Sequence, residues 1–293
     1  MKGSLELTRV AIVGLGLMGG SLAAALKERN ACQEVWGIAR RKETIDEALQ
    51  RGFIDKGTCK LANGVKGADV VVLATPVRVI IELIHELSPL LPSGCLLMDM
   101  GSTKREVIKA MGALPPHIQP LGGHPMCGKE TSGLAAAEAN LYEGAIFVLT
   151  PLPRTSQEAL DLAKELVKAV GARPLVVEAE RHDRLVAAIS HLPYLLSLAL
   201  VMTAEEVAAE DDLVWKLAAS GFRDTSRLAA SGVTMMLDVL VTNREAVEEM
   251  LARFRGQMDR LEKALKLGEE KRLRRLIESA RRQRTEQLRG ATR

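Results

Sequence analysis

The 293-residue sequence predicts an α/β fold, an N-terminal Rossmann-type doubly wound sheet followed by an all-α segment, and three observations carry the prediction. A glycine fingerprint follows the first apolar run, β-branched runs then alternate with helical patterns up to residue 178, and from Ala179 every segment reads as helix. With 47% apolar and 26% charged residues, the composition is that of an ordinary globular chain, and the length suggests two domains. They are expected at residues 1–179, the dinucleotide-binding part, and 180–293, the helical part.

The first strand ends at Val13 and runs into Gly14-Leu15-Gly16-Leu17-Met18-Gly19, with an alanine-rich helical stretch behind it. Gly14 allows a tight turn, Gly16 lets the backbone approach a pyrophosphate, and Gly19 lets helix and strand pack closely. Leu17 and Met18 open the helix whose N–H groups and positive dipole face the phosphates. The second strand, Glu34–Ile38, is followed by Ala39, Arg40, Arg41 and Lys42. No acid stands near residue 39 to accept hydrogen bonds from a ribose 2′-hydroxyl, whereas Arg40 and Arg41 suit a 2′-phosphate. NADP is therefore expected over NAD, the alternative being a solvated basic loop before a helix starting near Thr44.

Asp69–Ala74 reads as a buried parallel strand, closed by Thr75 and Pro76, which join the cofactor-binding set, and a helix follows over residues 77–87. Further strands are expected at Leu96–Met98, Ile118–Leu121, Ala145–Thr150 and Pro174–Glu178, with a helix over Gln157–Val170. Beyond Ala179, helices are expected with breaks at Gly221, Gly232 and Gly268.

Composition excludes several function classes. Net charge is +3, and the basic excess gathers at Lys271, Arg272, Arg274, Arg275, Arg281, Arg282 and Arg284. Leu273, Leu276, Ile277 and Ala280 are interleaved with them, as in a helix with one buried stripe and a solvated basic face, so no nucleic-acid partner is expected. Cys32, Cys59, Cys95 and Cys127 form no C-x-x-C pair and no metal spacing, so neither a metal site nor a disulfide framework is expected, and a reducing cytoplasm fits. Leu185–Ala204 has no charged residue but contains Ser190, His191, Pro193 and Tyr194, which suits a helix buried between two subunits better than one in lipid. A homodimer is expected, with no membrane partner. No appended small α+β regulatory domain is expected, the sequence running only to Arg293.

Chemistry is expected beyond the carboxyl ends of the strands. Asp99-Met100-Gly101-Ser102-Thr103-Lys104 would place the Ser102 hydroxyl near a nicotinamide, although Ser102 also suits the N-cap of a helix from Thr103. Gly122-Gly123-His124-Pro125-Met126-Cys127-Gly128 would hold His124 in a fixed loop, where an imidazole can take a proton from a hydroxyl being oxidised. Cys127 is read as a small residue of a tight loop rather than a nucleophile.

These two motifs, the glycine fingerprint, Ser-His-Leu-Pro at 190–193 and Gly-Phe-Arg-Asp-Thr-Ser-Arg at 221–227 occur in an order and spacing that resemble the prephenate/arogenate dehydrogenase family over nearly the whole chain. The resemblance is nearest to the cyanobacterial-type, NADP-linked arogenate dehydrogenases. It implies a Rossmann domain with a helical dimerisation domain and an oxidative decarboxylation on the route to tyrosine. It also implies that His124 draws the proton from the ring hydroxyl, that Ser102 orients that hydroxyl and the cofactor, and that Arg227 binds a substrate carboxylate. His191 is implied as a supporting pocket residue, with a satisfied core histidine as the alternative. Asp224 would orient its neighbours, and Arg223 would stand near the pocket or complete the partner subunit's site.

Two departures bear on the substrate. Prephenate-specific members usually carry histidine where this chain has Tyr194 and tryptophan where it has Met236, which favours arogenate over prephenate. Lys129 replaces a common threonine, either adding a cation for the ring carboxylate or pointing to solvent. A β-hydroxyacid dehydrogenase or imine reductase would share the glycine fingerprint but lack Gly-Gly-His-Pro. A non-catalytic NADP-binding protein would not need His124, Ser102 and Arg227 together.

Overall fold

Strand β1 (Arg9–Val13) lies in the interior of an eight-stranded sheet, and the computed structural model describes residues 4–129 and 131–290 of the chain. The remaining strands are β2 (Glu34–Ile38), β3 (Lys56–Thr58), β4 (Val70–Leu73), β5 (Leu96–Asp99), β6 (Gln119–Pro125), β7 (Ile146–Pro151) and β8 (Arg173–Val176). They are ordered β3-β2-β1-β4-β5-β6-β7-β8, and only β7 runs antiparallel to its β6 neighbour while pairing in parallel with β8. The strand order reverses between β1 and β4, so the carboxyl ends of these two strands flank the crevice where open α/β sheets take ligands.

Both faces of the sheet are buried, as the β-branched runs require. Val10, Ile12, Val70, Val72 and Met98 point to one core, which Leu22 and Leu26 of α1 (Leu17–Glu28) and Leu166 of α6 (Gln157–Ala169) complete. Ala11, Val13, Val71, Leu73 and Leu97 alternate to the other, against α4 (Val77–Leu87) and α5 (Arg105–Gly112). Helices α2 (Lys42–Gln50) and α3 (Leu61–Val65) flank the β2 edge.

The strands and helices expected from the sequence are present, with α3 unexpected, α5 starting at Arg105 instead of Thr103, and four further local differences. Strand β3 was not expected, since Lys-Gly-Thr carries no apolar pattern and forms only by pairing with β2. Helix α2 starts at Lys42 rather than near Thr44. Gly221 lies inside α10 (Ser220–Ser226) and breaks nothing.

The fourth difference moves the site. Residues 122–125 are not a loop after the strand but the second half of β6, with His124 opposite Val148 of β7. The glycines are there because the strand is crowded: a Cβ on Gly123 would stand 2.5 Å from the Asp99 carbonyl oxygen and 2.7 Å from Met98 Cε.

The change from α/β to all-α falls at Ala179, whereas the first compact unit runs from Met1 to Arg244 and the second from Glu245 to Arg293. The first unit ends with α7 (Ala179–Val186), a π-helical turn (Ala187–His191), α8 (Leu192–Ala208), α9 (Leu213–Leu217), α10, a 3₁₀ turn (Arg227–Ala230) and α11 (Val233–Thr242). The continuous helix Ala179–Ala208 is long and apolar enough to cross a membrane, yet its first turns carry Arg181, His182, Asp183 and Arg184, and His182 and Asp183 are buried in the unit. Leu185, Ile189 and Met202 are exposed on it.

In the second unit, α12 (Arg244–Lys266) turns at Gly268, with φ +62°, into α13 (Glu270–Gly290). The stripe expected to be buried there is half-buried at Leu273 and Leu276 and exposed at Ile277 and Ala280. Residues 1–3, 130 and 291–293 lie outside the described residues.

The crowding at Gly123 has a measurable consequence. Gly123→Ala should unfold in urea with about 1–3 kcal/mol less stability than the parent. Unchanged stability would mean that β6 can move away from Asp99.

Candidate active site

The crevice at the β1–β4 reversal has the features a dinucleotide needs. Gly14 has φ +101°, and a Cβ on it would come within 2.7 Å of the Ala74 carbonyl oxygen. A Cβ on Gly19 would lie 1.9 Å from the Gly14 carbonyl oxygen, so helix and turn can meet only without a side chain. Around Gly16, by contrast, no atom of the described residues outside the local backbone and its chain neighbours stands within 4 Å of the Cβ position, leaving open space where a pyrophosphate would approach.

Gly16 is the N-cap of α1 and offers no side-chain cap, so the N–H groups of Leu17, Met18 and Gly19 in the first turn are available to an anion. The Met18 carbonyl accepts a 2.5 Å hydrogen bond from the buried Tyr142 hydroxyl, which pins this turn. Thr75 follows the end of β4, and its buried hydroxyl has no hydrogen-bond partner, a polar group waiting for one. Pro76 caps α4 beside it. Arg40 and Arg41 follow β2 and are exposed, with Arg41 at the cap of α2.

Further along the same edge, a buried polar network joins three parts of the chain. Asp99 ends β5, and its carboxylate accepts from the Gly101 N–H (2.7 Å) and the Gly123 N–H (3.0 Å) and pairs with the Lys104 ammonium. Lys104 also donates to the Gly123 carbonyl oxygen (2.6 Å). Lys104 and Asp99 are fully buried, and burial pushes the lysine pKa below its ordinary value against the opposing pull of Asp99 and Asp183. Ser102 lies in the loop that this pair spans, between β5 and α5, and the Lys104 ammonium ties that loop to β6, the strand carrying His124.

The helix after Ser102 starts at Arg105, not at Thr103, and Ser102 does not cap it. Asp183 of α7 does so from a distance, taking the Lys104 N–H at Oδ1 (2.7 Å) and the Arg105 N–H at Oδ2 (2.9 Å). Thr103 and Thr242 share a 2.7 Å hydroxyl bond, and Asp238 accepts the Arg78 N–H at 3.2 Å. Helices α7 and α11 are thus tied by polar contacts to the first turn of α4 and to the segment that leads from β5 into α5.

His124 is half-buried. Its Nδ1 lies 2.8 Å from Nε2 of His182, and Nδ1 of His182 lies 2.8 Å from Oδ1 of Asp183. Burial, then His182, Lys104 and His191, hold the His124 pKa well below the ordinary imidazole value. A neutral imidazole at neutral pH can accept a proton. His191 is buried, 3.1 Å through Nδ1 from the Asn243 side chain, which also donates to the Asp183 carbonyl oxygen (2.8 Å); burial lowers its pKa to about 4.

The other expected residues are more scattered. Tyr194 and Met236 are buried and meet in one cluster with Val239. Arg223, on α10, and Arg227, which opens the following 3₁₀ turn, are exposed, as is Asp224. Lys129 is paired with Glu138 at 2.5 Å. Burial pushes the Cys127 thiol up to about 11, which leaves it protonated and unsuited to nucleophilic attack at neutral pH.

Sequence reasoning missed the partners of His124. His182 and Asp183 stand among Glu180, Arg181 and Arg184 in the charged first turns of a helix that becomes apolar only afterwards, so nothing in the local pattern set them apart. Asn243, at the end of α11, gave no signal either.

Comparison with known proteins agrees with this geometry. The nucleotide-binding-domain model of prephenate dehydrogenase matches residues 22–176, and the dimerization-domain model matches residues 178–279. Prephenate dehydrogenase of Lactococcus lactis subsp. cremoris is 36% identical over 262 residues, covering 88% of this chain and 71% of that protein. The crystal structure of A. aeolicus prephenate dehydrogenase with hydroxyphenyl propionate and NAD+ aligns with a TM-score of 0.90 at 32% identity, over 97% of this chain and 99% of that one. The Synechocystis arogenate dehydrogenase structure aligns at 0.81 with 29% identity, over 95% and 99%. With a nucleotide-binding crevice, a neutral histidine at the adjoining strand end and both family models matched along its length, the chain belongs to the prephenate/arogenate dehydrogenase family of oxidoreductases of tyrosine biosynthesis.

Proposed function

We propose that this protein oxidises and decarboxylates arogenate to tyrosine, with NADP as hydride acceptor, residues 1–179 holding the cofactor and 180–293 completing the substrate site and the dimer. The observation that carries the reading is His124, held neutral at the end of β6 with Nδ1 already engaged by His182, on the same sheet edge as the glycine turn. Gly14, Gly16, Leu17, Met18, Gly19, Thr75 and Pro76 would hold the dinucleotide, and Arg40 and Arg41 its 2′-phosphate. When bound, the oxidised nicotinamide supplies a hydride acceptor.

His124 takes the proton of the C4 hydroxyl as hydride leaves C4, so the C–O bond becomes a carbonyl. The C–C bond to the ring carboxylate then breaks, CO2 departs, and its electron pair flows through the ring to the oxygen, making a phenolate. His124 returns its proton to that oxygen, so no net proton is released. Ser102 orients the hydroxyl.

Arg227 would grip a substrate carboxylate with its guanidinium fork, with Arg223 nearby or in the partner subunit's site. Buried Tyr194 and Met236, which share one cluster, form the wall that favours the amino acid side chain over the ketoacid, and His191 supports the pocket. The Lys129–Glu138 pair supports the surface reading of Lys129 over a carboxylate contact. Prephenate oxidation to 4-hydroxyphenylpyruvate is the second reading, favoured by the L. lactis and A. aeolicus relatives.

A homodimer in the cytoplasm would cover Leu185, Ile189 and Met202. Light scattering at micromolar concentration should give about twice the 31.8 kDa chain mass, and a monomer would remove that part of the proposal.

Arogenate and prephenate should be offered separately with NADP+ and with NAD+, and reduction followed at the nicotinamide absorbance. Faster turnover of arogenate with NADP+ is expected. Prephenate preference would overturn the reading of Tyr194 and Met236, and NAD+ preference that of Arg40 and Arg41. His124→Asn should lower kcat by ~10²–10⁴ with NADP+ affinity kept, because the loss falls on proton transfer. In the parent, kcat/KM should stay level down to about pH 6.5, the ordinary imidazole value, and fall only below it as His124 protonates. A falling limb above that pH would contradict a depressed histidine.

A further inference from the structure

Beyond His124 itself, the hydrogen-bond order fixes which of its nitrogens is the base. Asp183 is buried, and its two oxygens already accept the Lys104 and Arg105 N–H groups, so it is held as a carboxylate that only accepts. Its Oδ1 faces Nδ1 of His182 at 2.8 Å, which places the His182 proton on Nδ1 and leaves Nε2 an acceptor. That Nε2 faces Nδ1 of His124 at 2.8 Å, so His124 donates from Nδ1 and carries its bare lone pair on Nε2. The rings meet edge to face, 76° apart with centroids at 5.1 Å, as a directed N–H to lone-pair contact between two imidazoles allows.

We infer that His182 and Asp183 are positioning residues, a relay that fixes His124 as the Nδ1–H tautomer and stabilises the imidazolium formed when Nε2 takes the substrate proton. This rests on the proposed role of His124 as proton acceptor. No covalent bond is made in the relay: the proton on Nε2 goes back to the product oxygen, and the Nδ1 proton stays donated to His182. The other charged or titratable groups around these rings are Lys104 with its partner Asp99, and His191. Positive charge on His182, the lysine or His191 opposes a positive His124, so the relay works with His182 neutral, accepting the Nδ1 proton at Nε2, and Asp183 is the carboxylate that reaches His124 through it. Asn243 holds the Asp183 backbone and His191 together, which keeps the second histidine out of the relay.

The test uses the whole chain saturated with NADP+. Histidine ¹⁵N shifts at neutral pH should report His124 protonated on Nδ1, a readout that needs no turnover. His182→Gln keeps an acceptor for that proton, so it should keep the tautomer and remain within about tenfold of the parent in kcat. His182→Leu removes the acceptor and should move the proton to Nε2, lowering kcat by ~10² or more while KM and NADP+ affinity change less than about threefold.

Finding Nε2–H in the parent, or equal kcat and tautomer in the Gln and Leu variants, would overturn the relay. Loss of the Leu variant's fold would leave the parent spectrum and the Gln variant to decide. An active His124→Asn protein would refute the base itself, whereas a relay failure leaves that variant inactive, so the two failures are separable.

Discussion

The buried pair of Asp99 and Lys104 is the contact on which the arrangement of this edge depends. Taking two charges out of water is costly, and such a pair survives only when its remaining donors and acceptors are met. Here most of them are: the carboxylate takes two backbone N–H groups, and the ammonium reaches the Gly123 carbonyl as well as the carboxylate. The pair therefore does more than neutralise itself. It closes the loop carrying Ser102 onto the strand carrying His124, and it needs Gly123 to be bare for β6 to come near enough. Removing one partner of a buried pair typically costs about 3–5 kcal/mol, because the other is left charged in a dry place. The chain spends stability on geometry at this edge.

The second requirement is that a helix from the later part of the chain reach the same place. Helix α7 does this with one carboxylate, since Asp183 caps α5 and faces His182 at once. The π-helical turn over Ala187–His191 then matters for His191. Nine residues of regular α-helix, at about 100° each, would set His191 on the face opposite His182. A π turn absorbs one extra residue and brings it back by about 100°, to within roughly a quarter turn, where Asn243 can bond both His191 and the Asp183 backbone.

How far the sequence reveals this depends on the range of each interaction. Gly14, Gly16 and Gly19 were legible because their spacing marks a turn running into a helix within six residues, although the Ala74 backbone that also crowds Gly14 lies far along the chain. The strands were legible because alternation and β-branching report burial directly. His124 and Ser102 were legible as strand-end residues, but Gly122 and Gly123 read as loop when they are strand, since a crowded strand and a flexible turn both select glycine. His182 was not legible as a partner of His124, from which it is 58 residues distant, nor Asp183 as the cap of a helix 78 residues away. Patterns of periodicity carry no information about such pairs. The family resemblance supplied roles for His124, Ser102 and Arg227 but placed no residue behind the histidine.

The helix Ala179–Ala208 also reverses the usual division of a surface helix. Its polar residues His182, Asp183 and His191 are inside, while Leu185, Ile189 and Met202 face outward. Apolar side chains left outward on this helix gain nothing from the monomer, and a second copy is the covering that the matched dimerization-domain model suggests. On that reading, the same helix would present one face to the partner and the other to the histidines. Assembly and catalysis would then be coupled without any moving part: anything that loosened the subunit interface would loosen the acceptor behind His124. Apolar burial on the opposite side of the same helix would then offset part of the cost of the buried polar network.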